Sequence, residues 1–293
     1  MVRMKISHIF ILIAVTILIG IFIMASCDYN PFFGEDTIPE RSISGKVILN
    51  KSDSYDGTFV WLEGTESKAI TDEEGEFTLK LPAISDPNDG GIVDGGYMLY
   101  FFMGNYELSQ IEIQFSRGQI VPDIQTISSQ GELYQTIYLS RLFELETIIS
   151  PKSEGEEGGD NMQSVLLFDI YLRPDVSNVF IYSKRIVKRD TTIHTGLLVL
   201  NSKTNEMVKI IDIDEAKIMR GGIMSPTDHW RMSYPLDGST FTSGEYKILP
   251  FIVVDHEKLP NGILNAIGSN IDYFNETYKL YPMKRTGGKF VVQ

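Results

Sequence analysis

The apolar residues of this chain come in short runs, alternating or continuous for a few positions, and each run is closed by Gly, Asp, Asn or Pro. Such runs lie at residues 43–49, 58–62, 68–71, 76–81, 97–103, 107–115 and 133–139. They recur at 165–172, 178–187, 196–200, 207–213, 230–234, 246–254, 273–281 and 290–292. A period of two puts alternate side chains on one face of a strand, whereas an amphipathic helix needs a period near 3.6. Within 107–115, Leu108, Ile111, Ile113 and Phe115 fall mostly two apart, as a half-buried strand requires. Tyr246, Ile248, Pro250, Ile252 and Val254 share one face of another run, where Pro250, lacking an N–H, belongs at an edge or bulge. One helix is expected near 259–267, weakened by Gly262. The pattern predicts an all-β chain of two β-sandwich domains.

The N-terminus has a different composition. Arg3 and Lys5 precede an uncharged apolar stretch at 9–24, and the small residues Ala25 and Ser26 stand directly before Cys27. A basic head, an apolar middle and a small-residue end are the parts of an export signal. The stretch Met24-Ala25-Ser26-Cys27 resembles the lipobox of bacterial lipoproteins, with Met24 where Leu is more usual. That resemblance implies a signal peptide over 1–26, a covalent lipid on Cys27, and a body held at a membrane of the bacterial cell envelope, facing out of the cytoplasm. The rival reading is an uncleaved spanning helix, and the length of the stretch, close to the roughly 17 to 25 residues required, leaves both open. The position of the chain's single cysteine favours lipidation.

Charge and cysteine content exclude some functions. The 26 Lys and Arg against 39 Asp and Glu give a net charge of −13, and losing residues 1–26 would remove two cations and no acid, taking it to −15. Such a surface repels nucleic acid over a Debye length of roughly 10 Å. One cysteine permits neither an intramolecular disulfide nor a cysteine-based zinc cluster, so the fold must hold by packing.

Residues 27–40 hold two prolines and mixed charge and read as a tether. Residues 150–163 concentrate Gly and Glu with almost nothing apolar and read as a linker. The expected domains are therefore 41–149 and 164–293.

In the first of these, Gly45 and Val47 are followed by Thr71, Asp72, Gly75 and Phe77, then by Gly96, Tyr97 and Leu99, with Tyr106 after Asn105. This order resembles the carboxypeptidase regulatory-like domain, a small prealbumin-like β-sandwich, over roughly 75 residues; the loop at 85–96 is longer than usual for the family. The resemblance implies a structural or binding module without catalysis of its own. The turn has its own logic: Asp72 can accept from nearby amides, Gly75 can take positive φ, and Phe77 can drop into the core. The second domain shows only a faint likeness to Ig-like sandwiches.

Chemistry-bearing residues are sparse. His8, His194, His229 and His256 lie in no nucleophile or metalloprotease motif, and read as loop or surface residues. Calcium is the cofactor such acidic loops would most readily take; the candidates are Asp86, Asn88, Asp89 and Asp94, with Asp53 and Asp56 as a second set, though neither set has the full spacing of a calcium loop and both read first as solvated turns. Tyr97 and Phe101 share one strand face and Tyr100 and Phe102 the other, so at most one pair can face outward as a binding platform, and core on one side with edge shielding on the other is the favoured reading. The expected role is a membrane-anchored binding or structural protein without catalytic activity. The alternative is an accessory or inhibitor protein gripping a protease or glycan-processing partner, and the sequence leaves a protein and a glycan ligand equally open.

Overall fold

The computed structural model describes residues 41–82, 91–154, 163–188, 191–212, 217–223, 226–235 and 241–292. Residues 41–293 form one compact unit. Cys27 and the tether, and Asp86, Asn88 and Asp89, lie outside the described residues.

The fold is all-β. The first part of the chain gives β1 (Ser42–Leu49), β2 (Phe59–Leu62), β3 (Lys68–Ile70), β4 (Glu76–Lys80), β5 (Gly95–Phe102), β6 (Ser109–Ser116), β7 (Gln119–Ile120) and β8 (Ile137–Leu139). β1 lies between β4, antiparallel, and β8, parallel, while the other sheet runs β3-β2-β5-β6-β7. Ile43, Val47, Leu79, Leu99, Phe101 and Ile113 fill the space between the two sheets. The turn into β4 holds them in register. Asp72 Oδ1 accepts the Glu76 amide at 2.7 Å, and Gly75 takes φ +81° with its carbonyl accepting the Val47 amide at 2.8 Å. A side chain at Gly75 would stand 2.0 Å from the Val47 carbonyl oxygen, so the turn admits only glycine.

The remaining strands are β9 (Phe143–Glu154), β10 (Gln163–Pro174), β11 (Val179–Lys188), β12 (Thr191–His194), β13 (Leu197–Asn201) and β14 (Met207–Ile211). β15 (Lys217–Ile223), β16 (Asp228–Pro235), β17 (Gly244–Pro250), β18 (Ile252–Val254), β19 (Thr286–Gly287) and β20 (Lys289–Val292) complete them, with one α-helix among the described residues, α1 (Asn261–Ile267). They form three sheets: β16-β10-β9-β19, β14-β13-β17-β20, and β12-β11-β15 with β18 also paired to β11. Two sheet switches join them. The chain leaves one sheet at Pro250, the last residue of β17, and enters another at Ile252. It switches again between Gly287 of β19 and Lys289 of β20.

At two places the structure differs from the sequence expectations. The residues expected as a linker are, at both described ends, paired strand: β9 runs unbroken to Glu154 and its register with β10 includes Glu154 against Gln163. The strand expected over 273–281 is a 3₁₀ turn at Glu276–Leu280, capped by the Asn275 side chain accepting the Thr277 amide at 2.7 Å. Tyr278 and Tyr281 stand three apart, and the three-residue period of this turn carries both into the interior.

In the five-stranded sheet, β2 and the second half of β5 are buried on both faces. Val60, Leu62 and Phe101 belong to the core between the first two sheets, while Phe59, Trp61, Tyr100 and Phe102 pack into a second core with Phe143, Phe168, Tyr278 and Tyr281. Tyr100 and Phe102 thus form no outward platform, because the C-terminal strands cover the face they occupy. Gly262 belongs to the same contact: a side chain there would come within 2.6 Å of the Trp61 ring, so the residue that weakens α1 as a helix lets it dock.

Candidate functional site

The segment from Tyr278 to Lys289 lies along the first sandwich and builds the walls of two cavities. Its start is anchored from below. The Tyr278 hydroxyl donates to the Ile252 carbonyl at 2.7 Å and accepts the Ile252 amide at 2.9 Å, and the buried Tyr281 ring stacks on Tyr278 with centroids 5.6 Å apart. The first sandwich contributes the turn after β5. There the Gly104 amide donates to the Pro282 carbonyl at 2.6 Å, and the Gly104 carbonyl accepts from His256 Nε2 at 2.9 Å. Asn105, 1% exposed, accepts the Lys284 amide on Oδ1 at 3.0 Å and donates through Nδ2 to the carbonyls of Lys284 and Phe143, each at 3.1 Å. One side chain thereby fixes the main chain of residue 284 as a neighbouring strand would.

The first cavity, of about 550 Å³, is mainly apolar, lined by Phe59, Ala69, Met103, Tyr281 and Met283, with Ile70 and Leu280 exposed among its lining residues. The second, of about 940 Å³, is polar and lies between the loop at 51–56, the start of β9 and the segment 283–289. Asp56, Met283, Lys284 and Arg285 border both. The ion pair of Lys284 Nζ with Asp56 Oδ1 at 2.6 Å stands at that border, and Ser54 donates to the same carboxylate oxygen at 2.6 Å. Although its partial burial opposes ionisation, these hydrogen bonds and the Lys284 charge hold the Asp56 carboxyl below its ordinary range.

The sequence-predicted residues are placed as follows. Asp94 accepts the Arg117 amide, which makes it a loop fastener, and Asp56 serves the ion pair just described. Asp53 is exposed and lines the polar cavity. His229 Nε2 lies 2.7 Å from Asp169 Oδ1, and Arg231 binds both oxygens of the same carboxylate at 2.7 and 3.1 Å, so that this histidine belongs to a sheet-face ion network. His256 is buried and committed to Gly104, and His194 lies in β12. Among the described residues no three His, Cys, Asp or Glu side chains are gathered as a metal site requires. The residues that do converge, Lys247, Lys284, Arg285 and Lys289, were not singled out in the sequence. A signal was available: residues 284–289 carry three cations and no acid in a chain of net charge −13.

No protein-family model matches the chain, and no curated protein does. A solved structure described as a "putative carbohydrate binding protein" from Bacteroides uniformis is similar at a TM-score of 0.35 and 14% identity, covering 75% of this chain and 92% of that one. At that TM-score the likeness decides neither fold nor function, and the cavities have to be read from their own chemistry.

Proposed function

We propose that this chain is a lipid-anchored binding protein of the bacterial cell envelope, tethered through Cys27, which takes its ligand in the cleft beside residues 278–289 and performs no chemistry on it. The observation that carries the reading is the rigid framing of the cleft. Its walls come from sequence positions as distant as Asp56 and Lys284, and Asn105, Gly104 and Tyr278 lock them together. Binding sites with pre-formed walls avoid the ordering cost of closing around a ligand. Their volumes also fall in the range of roughly 300 to 1,000 Å³ usual for ligand pockets.

Each of the two described histidine side chains has a ring nitrogen engaged within the fold, one with an arginine-bound carboxylate and one with a buried carbonyl. The carboxypeptidase regulatory-like resemblance of residues 43–115 implies a structural or binding module.

The cleft is tested by Asp53→Trp, which places a ring at the polar cavity from an exposed position. Screened against envelope oligosaccharides and peptides by calorimetry, the variant should lose the binding of the unmodified protein while its melting temperature stays unchanged. Equal binding by both would put the ligand elsewhere. The anchor is tested by Cys27→Ala, which should abolish palmitate incorporation in the bacterial host; undiminished labelling would end that part of the proposal.

A further inference from the structure

Lys247, Arg285 and Lys289 line the polar cavity, and among the described residues none stands within ion-pair distance of an acidic side chain, the nearest acid, Asp56, being paired with Lys284. Lys247 and Lys289 are direct cross-strand neighbours in the β17–β20 pair, an arrangement in which like charges repel. Arg285 is held in place: Nη1 donates to the Met283 carbonyl and Nη2 to the Tyr278 hydroxyl, both at 3.2 Å, and the guanidinium sits 5.6 Å from the Tyr278 ring centroid. Its Nε is buried and makes no hydrogen bond. Most of the acids lining the same cavity are already engaged. Asp56 is paired with Lys284, and Glu144 and Glu146 lie 3.6 and 2.6 Å from Arg173 nitrogens. Burial, and after it the charges of Arg285 and Lys289, outweigh the attraction of Asp56 and hold the Lys247 ammonium below the ordinary lysine range.

This cluster works against folding in a chain with carboxylates to spare. A neutral residue at exposed position 289 would relieve it without disturbing the core. An anion in the cavity relieves it too, and there the fixed guanidinium offers directed N–H groups that favour a carboxylate. The rest of the lining includes the Thr286 hydroxyl and the Asp53 carboxylate, a donor and an acceptor of the kind vicinal sugar hydroxyls pair with, beside the Ser52 hydroxyl, which donates to the Ser54 carbonyl, and the Ser54 hydroxyl, which Asp56 and Lys284 share. An acidic peptide would instead seek an open strand edge. The strand walling this cavity, β9, is paired to β10 along one edge, and at Glu146 and Thr147, beside the cations, its other edge is taken by β19.

We infer that the polar cavity binds a carboxylate-bearing oligosaccharide, whose acid groups are received by Lys247, Arg285 and Lys289. The inference rests on the cleft being the ligand site and adds the class of ligand.

The test titrates full-length protein in detergent with oligogalacturonate, with the same oligosaccharide after its carboxyls have been reduced to alcohols, with oligoglutamate and with inorganic sulfate. Expected are binding of the uronate, a loss of about tenfold or more on carboxyl reduction or on Lys289→Glu, and weakening as salt is raised. Lys289→Glu should melt no lower than the unmodified protein, since it exchanges a repulsion for a pair with Lys247. Equal affinity for the uronate and its reduced form would overturn the acidic class while leaving the cleft as a glycan site. Binding of oligoglutamate or sulfate in place of the uronate would overturn the oligosaccharide. Uronate binding untouched by Lys289→Glu but lost in Asp53→Trp would remove the cation cluster from the site. No binding of any probe would overturn the inference, and the cleft proposal falls separately if the Asp53→Trp comparison fails.

Discussion

His256 ties the C-terminal strands to the first sandwich through a hydrogen bond to the Gly104 carbonyl, and burial makes that tie sensitive to pH. A carbonyl only accepts, so Nε2 carries the proton and the buried ring is neutral. Desolvation lowers its pKa below the ordinary value of 6.5, against smaller opposing effects of the Gly104 bond and of Asp255, itself paired with Arg220. The sign follows from the depressed folded-state value: the unfolded chain binds this proton first. Stability is complete above about pH 6.5 and is lost as pH falls toward the lower folded pKa. The depressed carboxylates Asp56, Asp169 and Asp175 lose their contribution in a separate, more acidic window, below their ordinary 3.8. The melting temperature should therefore fall between about pH 7 and pH 5. In His256→Gln, which can still donate to Gly104 and does not titrate there, that slope should flatten; a slope unchanged by the substitution would place the acid sensitivity elsewhere.

The elements show what a single sequence displays and what it hides. Strands such as Glu76–Lys80 were legible because one face is core and the other water, and alternation records that difference. Phe59–Leu62 is buried at every position, and nothing local in the sequence reports that a distant segment covers its second face. The long arms of the β9–β10 hairpin are hidden for the opposite reason: residues 150–154 carry Ser, Pro, Lys and Glu, so their pairing with β10 leaves no apolar pattern in the sequence. The basic segment at 284–289 owes its place to its two glycines. Gly287 has φ +74°, and a side chain there would stand 2.2 Å from the Thr147 carbonyl oxygen, while Gly288 has φ +71° and donates to that oxygen at 2.7 Å. These let the chain pair with β9 at Thr286–Gly287 and then cross to β17 at Lys289. Gly287→Ala adds both strain and collision with backbone, and should cost about 2 kcal/mol or more. Because the displaced residues carry Arg285 and Lys289, ligand affinity should fall with stability; a variant that melts and binds as the unmodified protein does would show the crossing is built on something other than this close approach.

At the scale of the whole molecule, the question is whether residues 41–149 could stand alone, as their family resemblance and the Glu-rich stretch at 150–163 suggest. The shared core argues otherwise. Phe59, Trp61, Tyr100 and Phe102 are at most 7% exposed, and their cover comes from α1, Tyr281, His256 and the strands after residue 143. Burying a large apolar side chain is worth roughly 1.5 to 3 kcal/mol, so uncovering four of them forfeits roughly 6 to 12 kcal/mol. That is comparable with the whole net stability of an ordinary domain, about 5 to 15 kcal/mol. The β9–β10 hairpin adds a second obstacle, since cutting at residue 149 divides a strand paired along its length. Residues 41–293 should accordingly melt in one cooperative transition, with calorimetric and van't Hoff enthalpies in agreement. The isolated 41–149 fragment should bind a hydrophobic dye strongly and lose its cooperative melt. Replacing Phe59, Trp61, Tyr100 and Phe102 together with Thr, Lys, Gln and Thr should restore solubility to the fragment and destroy folding of the whole chain. Two separate transitions in 41–293, or a dye-silent fragment with a sharp melt, would return the molecule to two independent sandwiches, and a cleft framed by both could then no longer be rigid.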